Sequence, residues 1–405
     1  MRKFFIVVSI LMFFSGVVKS QKENFSYKFY GHVRGDLFYN SRVNHENVYG
    51  LFYLYPKDKV LDEDGKDINA GVNGSMSSIY TRLGMNIEGP KILNAASSAN
   101  IEFDFRGAAS NYAMPRIRHA SVNLDWGKSD LTLGQSWHPL FGEVSTQVLN
   151  HSSGVPFQPL NRSPLVKYKY LNKGWQFTAA AIWQLQHLST GPNGSSEEYL
   201  KNSNLPELYA GIDYKGLGWQ VGAGVDFISI VPRTQTTTGR RICKVCERVN
   251  SVSFEAHAKY QSENLYVAAK SILASNQVHS LTLGGYAVKS IDNVTQKMEY
   301  TPFRNSSTWI NVVYGKKWKP GIFVGYFKNL GTADEIKGAT YGTGLDVDQI
   351  LSAHCQLTYN LPHWRLGFEY TPSVVWYGTP DNKGRVKDTH SITSHRILAM
   401  VMYTF

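Results

Sequence analysis

The chain has 405 residues, a formal net charge of +11 and 13% aromatic residues, with 35 glycines against 3 cysteines. Mean hydropathy is −0.27, and past the N-terminus no stretch approaches the ~18 consecutive apolar residues of a helical membrane span. A bundle of membrane helices is excluded; a long soluble fold and a barrel whose every second residue faces lipid both fit.

Arg2 and Lys3 open the chain, and Phe4 to Phe14 form an almost unbroken apolar run. Val18 and Ser20 then stand at the small-residue positions of an export signal cleaved before Gln21. The run is too short for a comfortable span, and no Cys near its end offers a lipid anchor. Domain organisation is read as residues 1–20 signal peptide and 21–405 barrel. Removal of Arg2, Lys3 and Lys19 with the signal leaves a charge of +8.

The first strand is read over Phe25 to Asn40. Phe25, Tyr27, Phe29, Val33, Leu37 and Tyr39 share one face; Lys28, His32, Arg34 and Asp36 share the other. The same period of two gives strands near 77–89, 95–107, 116–126, 130–137, 164–171, 174–184, 205–215, 218–231 and 248–260. It continues near 306–315, 320–330, 346–360, 363–377 and 389–405. Connections alternate between long (41–76, 138–163, 185–204, 232–247, 331–345, 378–388) and short (90–94, 127–129, 172–173, 216–217, 261–263). The alternation closes only if 264–289 is one kinked strand, which gives sixteen strands. The last segment puts Ile397, Ala399, Val401, Tyr403 and Phe405 on one side. A final aromatic after such alternation resembles the signal read by barrel-assembly machinery. The fold class is therefore all-β: a transmembrane antiparallel β-barrel of 16 strands, with an aqueous lumen and an inward-folded loop.

Four stretches carry a family resemblance: Glu102-Phe-Asp-Phe, Arg116-Ile-Arg-His-Ala120, Leu133-Gly-Gln-Ser-Trp-His-Pro139 and Gly154-Val-Pro-Phe-Gln-Pro-Leu-Asn-Arg-Ser-Pro164. Weaker matches are Tyr53-Leu-Tyr-Pro56, Thr81-Arg-Leu-Gly84 and Tyr314-Gly-Lys-Lys317. Together the chain resembles the DcaP-type trimeric outer-membrane porins, in the branch found in anaerobic gut and oral bacteria. The resemblance implies a sixteen-stranded barrel, a homotrimer in the cell outer membrane, and passive diffusion of small hydrophilic solutes, with small carboxylate-bearing anions preferred by at least some members.

By alternation the lumen face carries the basic residues Lys28, Arg34, Arg82, Arg106, Lys167, Lys169 and Lys270, and the acids Asp36, Glu102, Asp104, Asp213, Asp226 and Glu255. Arg34, Arg82 and Arg106 fall on three consecutive strands and form a ladder suited to anions. Alternatively, these charges pair with one another and hydrate the wall. Read back from Ala120, Val122 and Leu124, Arg116 and Arg118 fall on the lipid side and His119 faces in. Either the two arginines sit at a rim or subunit interface, or a bulge turns them inward. The 138–163 connection, with His138, Glu143, His151 and Arg162, is the leading constriction; a cover over the trimer contact is its alternative. Asp62 to Asn69 is read as an acidic solvated turn rather than a calcium loop.

Cys243 and Cys246 are disulfide candidates in an outer loop, Cys355 is an inert wall residue, and no metal or cofactor is expected. No catalytic motif appears, so the chain is read as a non-enzyme. Expected partners are outer-membrane lipid, small anionic solutes and the assembly machinery through Phe405, with no nucleic acid. The alternative function is a surface structural or adhesive barrel with long outer loops.

Overall fold

The computed structural model describes residues 25–106 and 114–405; the signal reading of 1–20 lies outside them. The wall strands are β1 (Ser26–Asn40), β2 (Asn73–Ser77 and Arg82–Ile92), β3 (Ala95–Asp104), β4 (Arg116–Asp125), β5 (Ser129–Trp137), β6 (Arg162–Asn172), β7 (Trp175–Ile182) and β8 (Glu207–Gly216). They continue as β9 (Trp219–Ile230), β10 (Val249–Gln261), β11 (Leu265–Ser275), β12 (Arg304–Tyr314), β13 (Trp318–Gly331), β14 (Val347–Asn360), β15 (Trp364–Pro380) and β16 (Val386–Thr404). Each pairs antiparallel with its neighbours in sequence, and β1 pairs with β16 from His32↔Thr404 to Asn40↔Arg396. The sheet closes as a barrel of sixteen strands, so no wall strand keeps a free edge. At the seam Gly31 and Phe405 exchange both backbone hydrogen bonds at 3.1 Å. A Cβ on Gly31 would stand 2.9 Å from the Phe405 ring, so the close approach needs glycine there.

Alternation sets the two faces of the wall. On β10, Ser251, Ser253 and Glu255 are buried toward the inside, whereas Val252 and Phe254 are exposed outside. The outer face suits hydrocarbon because closure satisfies the backbone internally and the side chains are apolar. One rim carries short turns, such as the two-residue hairpin at Lys173 (φ 49°) and Gly174 (φ 86°). Cross-strand Trp–Tyr pairs recur beside this rim: Trp175↔Tyr214, Trp219↔Tyr260, Trp318↔Tyr359 and Trp364↔Tyr403. Their ring centroids lie 4.5–5.2 Å apart. They form an aromatic belt of the kind that settles at a membrane–water boundary.

Long connections rise from the opposite rim and carry their own small hairpins. Here one expectation is corrected. Residues 264–289 are not one strand. β11 leaves the wall after Ser275, where Asn276 and Leu281 take left-handed φ values of 52° and 61° around the 3₁₀ turn Val278–Ser280. Gly284–Ile291 then joins Met298–Pro302 and Thr340–Thr343 in a separate three-stranded outer sheet. The count of sixteen is unaffected, because that segment lies above the wall. The interior also differs from a uniformly wet lumen. Along β12 to β15 the inward side chains Trp309, Phe323, Phe327, Ile350 and Val375 form an apolar cluster with Val144 and Phe157 of the 138–161 segment.

Candidate functional site

The segment between β5 and β6 folds inward and follows the barrel's inner wall. Lys259 of β10 donates to the Glu143 carbonyl at 3.4 Å, and the Tyr266 hydroxyl of β11 donates to the Ser145 carbonyl. The Gln147 N–H donates to Asn311 of β12 at 2.6 Å, and its carbonyl accepts from Gln356 of β14 at 2.8 Å. Glu369 of β15 accepts the Leu149 and Asn150 N–H groups at 2.6 and 3.1 Å. His151 reaches Asp36 of β1. On its return the chain buries Phe157 over Gly325 of β13, where a Cβ would lie 2.4 Å from the ring, and Gln158 accepts from the Trp309 indole at 2.7 Å. This inner loop ends at Asn161. Arg162, expected within it, is the first residue of β6.

Beside the loop, at the long-connection ends of β3 to β6, lies a cavity of about 960 Å³ lined by Arg82, Arg106, Arg116, Arg118 and Arg162. Of the alternatives for Arg116 and Arg118, a rim or subunit interface against an inward bulge, the register shows the bulge. Register shifts between Glu102↔His119 and Phe103↔Ile117, so Arg118 is an extra residue, and this bulge turns both arginines inward. Arg116 donates to Asp104 at 2.7 Å, and Arg118 to Asp104 at 3.0 Å and to Glu102. Arg82 approaches Glu102 at 3.5 Å. Arg106 and Arg162 have no ion pair among the described residues; Arg106 instead faces two aromatic rings and Arg162 one. Arg106 lies 5.4 Å from the Phe52 centroid and 5.1 Å from that of Tyr80, and Arg162 lies 4.4 Å from that of Trp137. His119 packs edge-on against Trp137 at 5.7 Å. Tyr80 was not singled out in the sequence. It sits in the break between the two parts of β2, and Arg34, Arg82 and Arg106 all stand 5.0–5.4 Å from its ring.

The other basic residues divide by role. Arg34 is bound to Asp36 at 2.7 Å and donates to the Leu149 carbonyl at 2.7 Å. Lys270 donates to the Leu140 and Phe141 carbonyls at 2.7 and 3.1 Å and meets Glu255 at 3.2 Å. Both anchor the inner loop and line neither cavity. Lys28 stands near the short-turn end of β1, opposite Asn86, and also lines neither. Lys167 and Lys169 line a second, smaller cavity on the short-turn side of the loop. There Glu143 accepts from Lys169 at 2.6 Å and from Lys215. Burial pushes the Glu143 carboxyl up, but the Lys169 and Lys215 ammonium groups outweigh it and hold the group at about 2. Lys215 and Lys259 were missed, although strict alternation along β8 and β10 puts both on the inward face.

His138, Glu207 and His279 form a buried group whose ligand atoms all lie within 4.8 Å of one another. Both imidazole Nε2 atoms approach one oxygen of Glu207, at 3.1 and 2.9 Å. The Leu140 N–H donates to His138 Nδ1 at 3.1 Å, so in the neutral ring the proton is on Nε2 and points at Glu207. That tautomer makes the group a hydrogen-bonded clamp between the loop root, β8 and the 276–283 turn, and leaves His138 without a lone pair for a metal. The expected Cys243–Cys246 disulfide is not formed; both thiols are free and exposed. Cys243 lies on the hairpin strand Arg241–Lys244, which the Val245 N–H to Thr234 bond prolongs.

No protein-family model matches the sequence, and no curated protein does. Solved structures do match in fold. The outer membrane channel DcaP of Acinetobacter baumannii superposes with a TM-score of 0.69 at 18% identity, over 96% of this chain and 99% of that one. The trimer form of OmpT, an outer membrane protein of Vibrio cholerae, gives 0.54 at 12% identity over 94% and 99%. OmpF of Salmonella typhi in complex with daunomycin gives 0.51 at 13% over 94% and 97%. The chain therefore has the fold of the outer-membrane porins.

Proposed function

We propose that this protein is an outer-membrane channel for passive diffusion of small hydrophilic solutes, and that it favours anions, carboxylates among them. The observation that carries the reading is the cavity beside the inner loop, where five arginines face two carboxylates and Arg106 and Arg162 have no ion pair among the described residues. Fixed guanidinium groups at a narrow place raise the local concentration of anions and repel cations. The short-turn rim faces the periplasm in this reading, and the long connections face outward. The DcaP likeness supports a channel, and the trimer form of OmpT supports a homotrimer. Reversal potentials of the purified protein in planar bilayers test the proposal. Anion selectivity at 0.1 M salt that fades toward 1 M is expected, since screening contracts from ~10 to ~3 Å. Cation selectivity at low salt overturns the assignment of charge preference; absence of conductance overturns the channel.

A further inference from the structure

The lysines below the inner loop make a second positive centre, apart from the arginines. Lys167 and Lys169, two residues apart on β6, project into a pocket of about 150 Å³ that Glu143, Gln176, Asp213 and His257 also line. Lys215 and Lys259 come to Glu143 from β8 and β10. Asp213 is engaged by His257 and Gln220, each at 2.9 Å. Lys167 has neither ion pair nor hydrogen bond among the described residues and borders open space. Four ammonium groups thus stand among three carboxylates: Asp213 on β8, Asp130 on β5 opposite Lys169, and Glu143, which is carried on a loop rather than on the wall.

We propose that this pocket is a binding site for a compact oxyanion of the phosphate or sulfate type, held by Lys167 and Lys169. Glu143 is then a tethered carboxylate that occupies part of the site until a diffusing dianion takes Lys169 from it. The pocket volume corresponds to about five waters at ~30 Å³ each, enough for a tetrahedral oxyanion. Ammonium groups are compact point charges that suit such anions. A monocarboxylate brings no more charge than Glu143 and faces a competitor held at high effective concentration by its own backbone. A dianion brings a second charge and meets Lys167 unpaired.

The inference rests on the channel reading only for access to the pocket, since binding is measurable without conduction. Equilibrium dialysis of radiolabelled inorganic phosphate against the detergent-solubilised full-length barrel at low salt tests it. Saturable binding is expected, competed by sulfate and not by equal acetate. Lys167→Gln and Lys169→Gln should each weaken it about tenfold, the loss of one charge-assisted contact. Glu143→Gln should tighten it several-fold by removing the competitor, whereas a carboxylate that only braces the loop would give weaker binding. No saturable binding in the wild type and in Glu143→Gln, or binding indifferent to both lysine changes, overturns the site. Conductance of the same preparation separates the two claims: a conducting barrel that binds no phosphate sinks the pocket alone, and a phosphate-binding barrel that does not conduct sinks the channel alone.

Discussion

His151 Nε2 lies 2.9 Å from Asp36 Oδ2, joining the far turn of the inner loop to the first strand across 115 residues of sequence. Burial and the Arg34 guanidinium push the imidazole down to about 3, against the opposing pull of Asp36, so the ring is neutral at pH 7 and donates its Nε2 proton. Arg34 closes the knot by gripping Asp36 and the Leu149 carbonyl together. The loop is fixed by polar groups along its path around the inner wall and by Val144 and Phe157 in the apolar cluster. Its position is therefore a property of the folded barrel and can be changed one contact at a time.

Gly325→Val is the most selective way to move the loop. The new side chain meets the Phe157 ring, while the backbone ladder of β13 is unchanged. The barrel should still assemble, seen as heat-modifiable mobility on a gel, and overpacking of this kind costs about 1–3 kcal/mol. Single-channel conductance should rise. Deletion within 144–157 should raise it further and admit larger solutes. A folded deletion variant with wild-type conductance would show that the loop is a cover and not a constriction.

Arg106→Gln and Arg162→Gln should each lower the anion-to-cation permeability ratio several-fold at 0.1 M salt and have little effect at 1 M, where the screening length is ~3 Å. Arg34→Gln should act differently, as an anchor: broken tethering shows as current noise ahead of any change of selectivity. Equal loss of selectivity in all three variants would return Arg34 to the lining of the passage.

Much of the wall could be read from the chain because a period of two is imposed twice, by lipid outside and by the lumen inside. The wall strands, 8–19 residues long apart from the five-residue first part of β2, show it over most of their length. The breaks in that period were the parts not legible. The bulge at Arg118 adds one residue that looks like any other, yet it turns a charge expected on the lipid side into the cavity. Asn276 and Leu281 divert the chain from the wall by left-handed φ angles that neither side chain announces. Tyr80 reaches the arginines only because β2 is interrupted after Ser77. The roles of Arg34 and Lys270 as anchors depend on where a 24-residue loop runs, and no periodicity encodes that path.

Topology is open to direct labelling once Cys243, Cys246 and Cys355, all exposed, are replaced by serine. Asp64→Cys and Asn382→Cys, both on connections from the long-loop rim, should react with an impermeant maleimide added to whole cells. Lys173→Cys, in the turn between β6 and β7, should react only after the outer membrane is breached. Labelling of position 173 in intact cells would invert the barrel.

Acid should loosen the inner loop before it unfolds the wall. His151 has a folded value depressed to about 3 against 6.5 for the free group, so below pH 6.5 a released loop takes up a proton that the docked loop refuses. Docking is therefore weakened progressively as pH falls from 6.5 toward 3. Glu143 acts in the same direction in a lower window, since its value of about 2 lies below the ordinary 4.5. Its contribution is full above pH 4.5 and is lost as pH falls through 2. Current noise and protease cleavage within 144–157 should both rise between pH 6 and 3 while the barrel keeps its heat-modifiable mobility. In His151→Ala the tether of about 1 kcal/mol is already absent at pH 7, so noise should start higher and change little until the Glu143 window is reached. A wild-type loop that is equally quiet at pH 7 and pH 3.5 would show that the Asp36–His151 bond does not hold it.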